Sequence, residues 1–326
     1  MFVKASKFAL IAASAGSLAF ASAAFAEDVK YPVDTVTLVT HSSPGGGSDV
    51  YLREMIRFLA PVMGAEFGVE NVKGGSGAKA IAKVATSPND GSIFYAATPT
   101  FINMSLLSNP EYSYKDIEPV VNFFLDPQVI YVRKDSKFHD LKEVIADAKA
   151  HPGKQKWGTG TPAALERQAL EKFKKLAGVD VTIVTHDGGG DMMINVLNGS
   201  LDLGVGEVQE FKGQLDAGEI RVVGVFTDKR LPDFPDAMTA KEAGIDMVVK
   251  KFRGLVGPKD LPADVIHAWE VAIPKVMADP EFQKWYKAAN LIPAFMPQDE
   301  FVPFMADVVK EQDAFFKEYG INKMDD

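Results

Sequence analysis

Residues 35–49 read TVTLVTHSSPGGGSD. Thr35 to Thr40 is a β-rich apolar run, and a second run with helical spacing of apolar residues follows from about Ser48 to Pro61. Three glycines at Gly45, Gly46 and Gly47 join them, and glycine lets backbone turn tightly or approach a ligand closely. A strand that turns through glycines into a helix presents free N–H groups and the positive end of the helix dipole, which is an anion seat. Ser48 or Asp49 is expected to cap the helix, and Ser42, Ser43 and Ser48 add hydroxyl donors. Residues 181–191, VTIVTHDGGGD, echo this stretch. The echo is either the chance likeness of two glycine turns or two lobes presenting equivalent loops across one cleft.

Working outward, strand runs alternate with helical ones, so the fold class is α/β. Strands are expected at 68–72, 93–97, 156–159, 181–185, 201–205 and 220–226, with two apolar runs inside 120–132 broken by Asp126-Pro127. Helices are expected at 77–85, 141–150, 163–177 and 191–197, and the C-terminal part reads as mainly helical over 262–278, 281–289 and 297–319. Further loops lie at strand ends. Thr98 and Thr100 follow the strand at 93–97, with Asn103 nearby. Thr159, Gly160 and Thr161 precede a helix that Thr161 caps and Pro162 opens. His186, Gly188, Gly189 and Gly190 form the third loop, and Arg167 lies one to two turns into the second loop's helix.

Met1 to Ala26 has the form of a secretory signal: Lys4 and Lys7, a short apolar stretch, then Ala24-Phe25-Ala26 as a cleavage site. Cleavage after Ala26 predicts a periplasmic protein of 300 residues, 326 less 26. That length suits two lobes. With no cysteine, disulfides and thiolate chemistry are excluded. The formal charge of −9, with no basic cluster, argues against nucleic acid. No later segment is long and apolar enough for membrane insertion. The five histidines are scattered, so no metal site is expected, and no cofactor motif appears: Gly-Lys-[Ser/Thr] does not follow the glycines, and G-x-G-x-x-G is absent. A G-x-S-x-G elbow is also missing, so no enzyme is expected.

Micromolar capture of an anion needs about 8 kcal/mol. Charge-assisted hydrogen bonds supply about 1.5–3 kcal/mol each. One loop falls short, so closure of two lobes belongs to the expectation.

The segments SPGGGSD (43–49), VENVKGGSGAKA (69–80), PNDGSIFYAAT (88–98), YKDIEPV (114–120), HPGKQKWGTG (151–160), LNGSLDLGVG (197–206), AGEIRVVGVFTDKRLPDFPD (217–236) and KEAGIDMVVKKFRGLVGPKDLP (241–262), in this order, resemble the substrate-binding proteins of tripartite tricarboxylate transporters, the TctC/Bug family. The resemblance implies a type II periplasmic-binding-protein fold, with lobe 1 from 27–124 and 227–326 and lobe 2 from 125–226. It implies a small carboxylate held by Ser43, Pro44, Gly45, Gly46, Gly47, Ser48 and Asp49, by Thr98 to Thr100, by Thr159 to Thr161 and by His186 to Gly190, with Glu207 closing the pocket. Its implied partners are the large and small membrane subunits of the transporter, with the receptor a monomer; a sensory receptor fed by the same fold is the alternative. Many members have Pro-Pro before the glycines and an aromatic-Lys-Gly-Gly third loop. Here these are Ser43-Pro44 and His186-Asp187-Gly188-Gly189-Gly190. An acid in place of a lysine, with Glu207 beside it, turns the expectation from a simple dicarboxylate towards a polar, amino-bearing or aromatic carboxylate. Arg53, Arg167 and Arg253 are candidates to pair with a second anionic group.

Overall fold

The run Thr35–Thr40 forms strand β1, and its side chains alternate between two cores: Leu38 packs on one face of the sheet and Val39 on the other. Both faces are covered, which is why apolar residues occupy both faces of the strand, with Val36 and Leu38 on one and Val39 on the other. Residues 31–249 and 251–321 are described by this computed structural model, so the signal segment at 1–26 lies outside the described residues.

Helix α1 (Gly47–Met63) follows, then β2 (Glu66–Asn71), a 3₁₀ turn at Gly75–Gly77, α2 (Ala78–Ala85), β3 (Ile93–Ala97), α3 (Pro99–Leu107) and β4 (Ile117–Asp126). Strand β5 (Gln128–Arg133) leads through α4 (Leu141–Ala150), β6 (Lys156–Thr159), α5 (Leu165–Ala177), β7 (Thr182–Thr185), α6 (Gly189–Leu197), β8 (Leu203–Glu207), α7 (Val208–Asp216) and β9 (Ile220–Val225). The chain ends with β10 (Met238–Thr239), β11 (Lys251–Pro258), α8 (Ala263–Ala278), α9 (Pro280–Ala288), β12 (Ile292–Met296) and α10 (Gln298–Glu318).

These make two mixed sheets, β12-β4-β11-β3-β1-β2 and β10-β9-β5-β8-β6-β7. Each carries helices on both faces, giving two α/β lobes. In the first, β1 runs parallel to β2 and β3, while β11 is antiparallel to β3 and β4. In the second, β6 is parallel to β7 and β8, and β5 is antiparallel to β8 and β9. The chain crosses outward at Pro127, between β4 and β5, and returns into β11.

The return comes later than residue 227. Strand β10 pairs with β9, Val249 N–H donates to the Phe226 carbonyl at 2.9 Å, and Ile245 and Met247 pack in the second core. The three C-terminal helices lie where expected, as α8, α9 and α10, but two strands of this region were not expected. β11 is a central strand of the first sheet, fully buried along its length, and β12 is an edge. Helices α3 and α7, absent from the sequence reading, fill the first and second lobes.

The echo at 181–191 is not a topological repeat. Strand β1 is the fifth strand of its sheet, whereas β7 is the sixth and outermost of its own; the counterpart of β1 is β6. The two glycine loops nevertheless meet across the cleft.

Candidate functional site

Helix α1 starts one residue before Ser48, with Gly46 as its N-cap and no side-chain cap. Gly45 has φ 79, a left-handed conformation that favours glycine. Asp49 does not cap in the usual way. It lies inside the first turn, reaches back to the Gly45 N–H at 3.0 Å, and accepts from Arg53 Nε at 2.9 Å and Asn71 Nδ2 at 3.0 Å. Burial alone would raise its pKa, but these donors hold the carboxyl below its ordinary range. Asp49 and Arg53 therefore brace the loop, and Arg53 is spent on that bond rather than turned to the cleft.

Lobe 2 meets this loop with its own glycines. Gly188, the N-cap of α6, has φ 169, an extended backbone open to any residue. Its constraint comes from the other lobe. A Cβ on Gly188 would lie 2.5 Å from Ser43 Oγ and 2.9 Å from Ser43 N, and one on Gly190 would lie 2.7 Å from the Pro44 carbonyl. The lobes are closed on each other, and the glycines permit it. Lys73 adds exposed pairs across the mouth, 3.4 Å to Asp187 and 3.5 Å to Asp191.

Beneath the loops lies a buried ionic floor. Lys251 and Arg253 alternate along β11 and project from lobe 1. The Lys251 ammonium donates to Glu166 at 2.6 Å and to Glu207. Arg253 donates to Asp126 and to the Ser48 hydroxyl at 3.1 Å, and its Nη2 lies 3.3 Å from Glu207. Gln209 donates to Asp126 at 2.8 Å, and the Tyr51 ring sits 5.0 Å below the Arg253 guanidinium. Glu207, read as a pocket wall, is instead wholly buried behind the pocket. Burial opposes its ionisation, but Lys251 and Arg253 outweigh that and hold it well below the usual range.

Burial pushes Glu166 up to about 7 against the pull of Lys251, with Glu207 adding to the rise. A folded value above the unfolded 4.5 means that Glu166 stabilises fully below that value and loses its contribution as pH rises through 7. The melting temperature of the wild type relative to Glu166→Gln is therefore expected to increase from pH 8 to pH 5. A flat or opposite difference in parallel thermal melts would refute the assignment.

Above the floor is a cavity of about 40 Å³, room for one or two waters. It is lined by Gly47 and Ser48 of the first loop, Thr98 and Thr100 at the start of α3, Gly160 and Thr161 after β6, and Gly188 and Gly189. His41, Ser42, Ala164, Glu166, Asp187, Glu210 and Lys251 complete the lining. The buried hydroxyls of Ser43, Thr98, Thr159 and Thr161 have no hydrogen-bond partner within the protein. Buried hydroxyls are ordinarily satisfied, so Thr98 and Thr161, the two that line the cavity, are poised for something that enters. His41, Thr161 and Asp187 also line a second cavity of about 470 Å³ that continues past Gly74–Ala78 and Ser108–Pro110.

Other sequence-selected residues play different parts. Thr161 does not cap α5, which starts at Leu165; residues 161–164 form a turn instead, closed by Ala164 N–H to the Thr161 carbonyl at 2.9 Å. Arg167 does not line the cavity: its guanidinium donates to the Pro162 carbonyl at 3.1 Å and lies 3.8 Å from Glu171. His186 bonds the Thr159 carbonyl at 3.1 Å. His41 bonds the Tyr95 hydroxyl and is driven down to about 3, neutral, by burial and by the charges of Lys251 and Arg253. Sequence reasoning missed Glu166, Glu210 and Lys251. The available signal was two charges at alternate positions of the apolar run KFRGLVG (251–257).

Comparison with known proteins gives this geometry a context. A family model described as the tripartite tricarboxylate transporter family receptor matches residues 52–321. The UPF0065 protein of the gbd 5′ region of Cupriavidus necator is 25% identical over 315 residues, covering 96% of each chain. Protein BugT of Bordetella pertussis is 22% identical, over 89% of this chain and 90% of its own. The structure of the periplasmic binding protein BugD superposes with a TM-score of 0.85 at 24% identity, covering 90% of this chain and 100% of that one. A Rhodopseudomonas palustris protein solved with adipate reaches 0.84 at 23% identity, covering 90% and 100%. MatC from the same organism, with bound malate, reaches 0.79 at 22%, covering 89% and 99%.

Proposed function

Because the chain belongs to the tripartite tricarboxylate transporter receptor family, we propose that it is an exported solute-binding protein that closes its lobes on a small organic carboxylate and delivers it to the large and small membrane subunits of a transporter. It acts by capture and hand-over, with no bond made or broken. The observation that carries this reading is the pair of buried, unpartnered hydroxyls, Thr98 from lobe 1 and Thr161 from lobe 2, that line one cavity between the lobes. Hydroxyl and backbone donors at the start of α3 stabilise an anion without a cation of their own. Adipate and malate, bound by two structural relatives, set the scale of the ligand. Export rests on the signal motif at 1–26, and among the described residues no helix is long and apolar enough to cross a membrane.

The test is a thermal-shift panel of mono-, di- and tricarboxylates and aromatic acids on the mature chain. A ligand at 100 times its Kd stabilises by about 2.7 kcal/mol, which raises the melting temperature of a chain this long by roughly 4 °C. A panel with no shift refutes the carboxylate reading.

A further inference from the structure

The N-terminus of α1, where the glycine loop was expected to hold a ligand anion, already engages a carboxyl group of the chain itself. Glu210, in the first turn of α7, crosses from lobe 2 and accepts from the Gly47 N–H at 2.6 Å. Its carboxyl lies in a cradle of glycines. A Cβ on Gly189 would overlap the whole carboxyl group, and one on Gly206 would lie 2.5 Å from Oε2. Only the missing side chains at those positions leave it room.

The cavity wall beside it is acidic. Glu166, Asp187 and Glu210 line it against one cation, Lys251, whose ammonium is already engaged by Glu166 and Glu207. Arg253 is taken by Asp126 and Glu207. An anion placed there meets three carboxyl groups and one cation that is already engaged. The rest of the lining is different. Thr98 and Thr100 of lobe 1 and Gly160 and Thr161 of lobe 2 line the same cavity and carry no charge of their own. Thr98 and Thr161, 1% and 8% exposed as residues, keep buried hydroxyls without a partner there.

From this polarity, and resting on the carboxylate reading above, we propose that the ligand is an amino-bearing carboxylate: its carboxylate on the Thr98–Thr161 side, its ammonium between Glu166 and Glu210. Burial and the neighbouring Glu207 push Glu210 up, and an arriving ammonium pulls it back towards the ionised form. The rest of the ligand extends past Thr161 and Asp187 into the larger cavity.

Matched pairs test this by calorimetric titration of the mature chain: succinate with aspartate, glutarate with glutamate, propionate with β-alanine, butyrate with 4-aminobutyrate. In at least one pair the amino member is expected to bind tenfold or more tightly than its partner. Glu210→Gln, checked for an unchanged melting temperature, is expected to cut that preference several-fold. Plain members binding as tightly as amino members overturn the inference and leave the carboxylate function standing. A preference unchanged in Glu210→Gln overturns the placement of the ammonium. Failure of both columns, together with the wider carboxylate panel, refutes the proposed function itself.

Discussion

Replacing Arg253 by methionine is expected to lower folding stability by about 3–5 kcal/mol, the usual result of leaving buried charge without its partner. Arg253 is fully buried, and Asp126 beside it is 1% exposed. Its loss strands Asp126 with only the Gln209 amide, and removes one of the two cations that keep Glu207 ionised. Burial already pushes Asp126 up to about 6 even with Arg253 in place. Equilibrium denaturation reads the effect directly. Adding Asp126→Leu to Arg253→Met should recover part of the loss, because the penalty lies in the uncompensated charge more than in the pair. A single variant within about 1 kcal/mol of wild type would mean that the floor is not the electrostatic unit described above.

Gly188→Ala is expected to weaken ligand binding by roughly 5- to 150-fold, from an overpacking cost of about 1–3 kcal/mol at the closed interface. The backbone at 188 tolerates alanine, and the new methyl meets the Ser43 backbone nitrogen of the other lobe, which no rotamer change can move. Each lobe has its own cores, so the melting temperature without ligand should change little. Calorimetric titration with a carboxylate that binds wild type would show the loss. Unchanged affinity would place closure somewhere other than the Ser43–Gly188 contact.

What the sequence disclosed was short in range. Strand β1, the glycine loops and helix 141–150 follow from neighbours in the chain; that helix has Asp140 as its cap, accepting from the Glu143 N–H at 2.9 Å. Helix α3 was hidden because seven of its nine residues are buried, which removes the polar face that marks a helix by its period. Strand β11 was hidden because its meaning is tertiary. Lys251 and Arg253 look misplaced in an apolar run until Glu207 and Asp126, 44 and 127 residues away, are brought beside them. Arg167 is a candidate by its charge, and its neighbour Glu166 went unnoticed. Adjacent residues point about 100° apart on a helix, and it is Glu166 that faces the cleft while Arg167 turns to Pro162 and Glu171.

Capture of a carboxylate by hydroxyls from both lobes is tested most directly by calorimetric titration of one binding carboxylate into wild type and into the Thr98→Val, Thr161→Val double variant. Valine keeps the shape and removes the two unpartnered hydroxyls, each worth about 1.5–3 kcal/mol to a charged acceptor. The account predicts a loss of affinity of at least about 100-fold with the fold intact. Wild-type affinity in the double variant would contradict it.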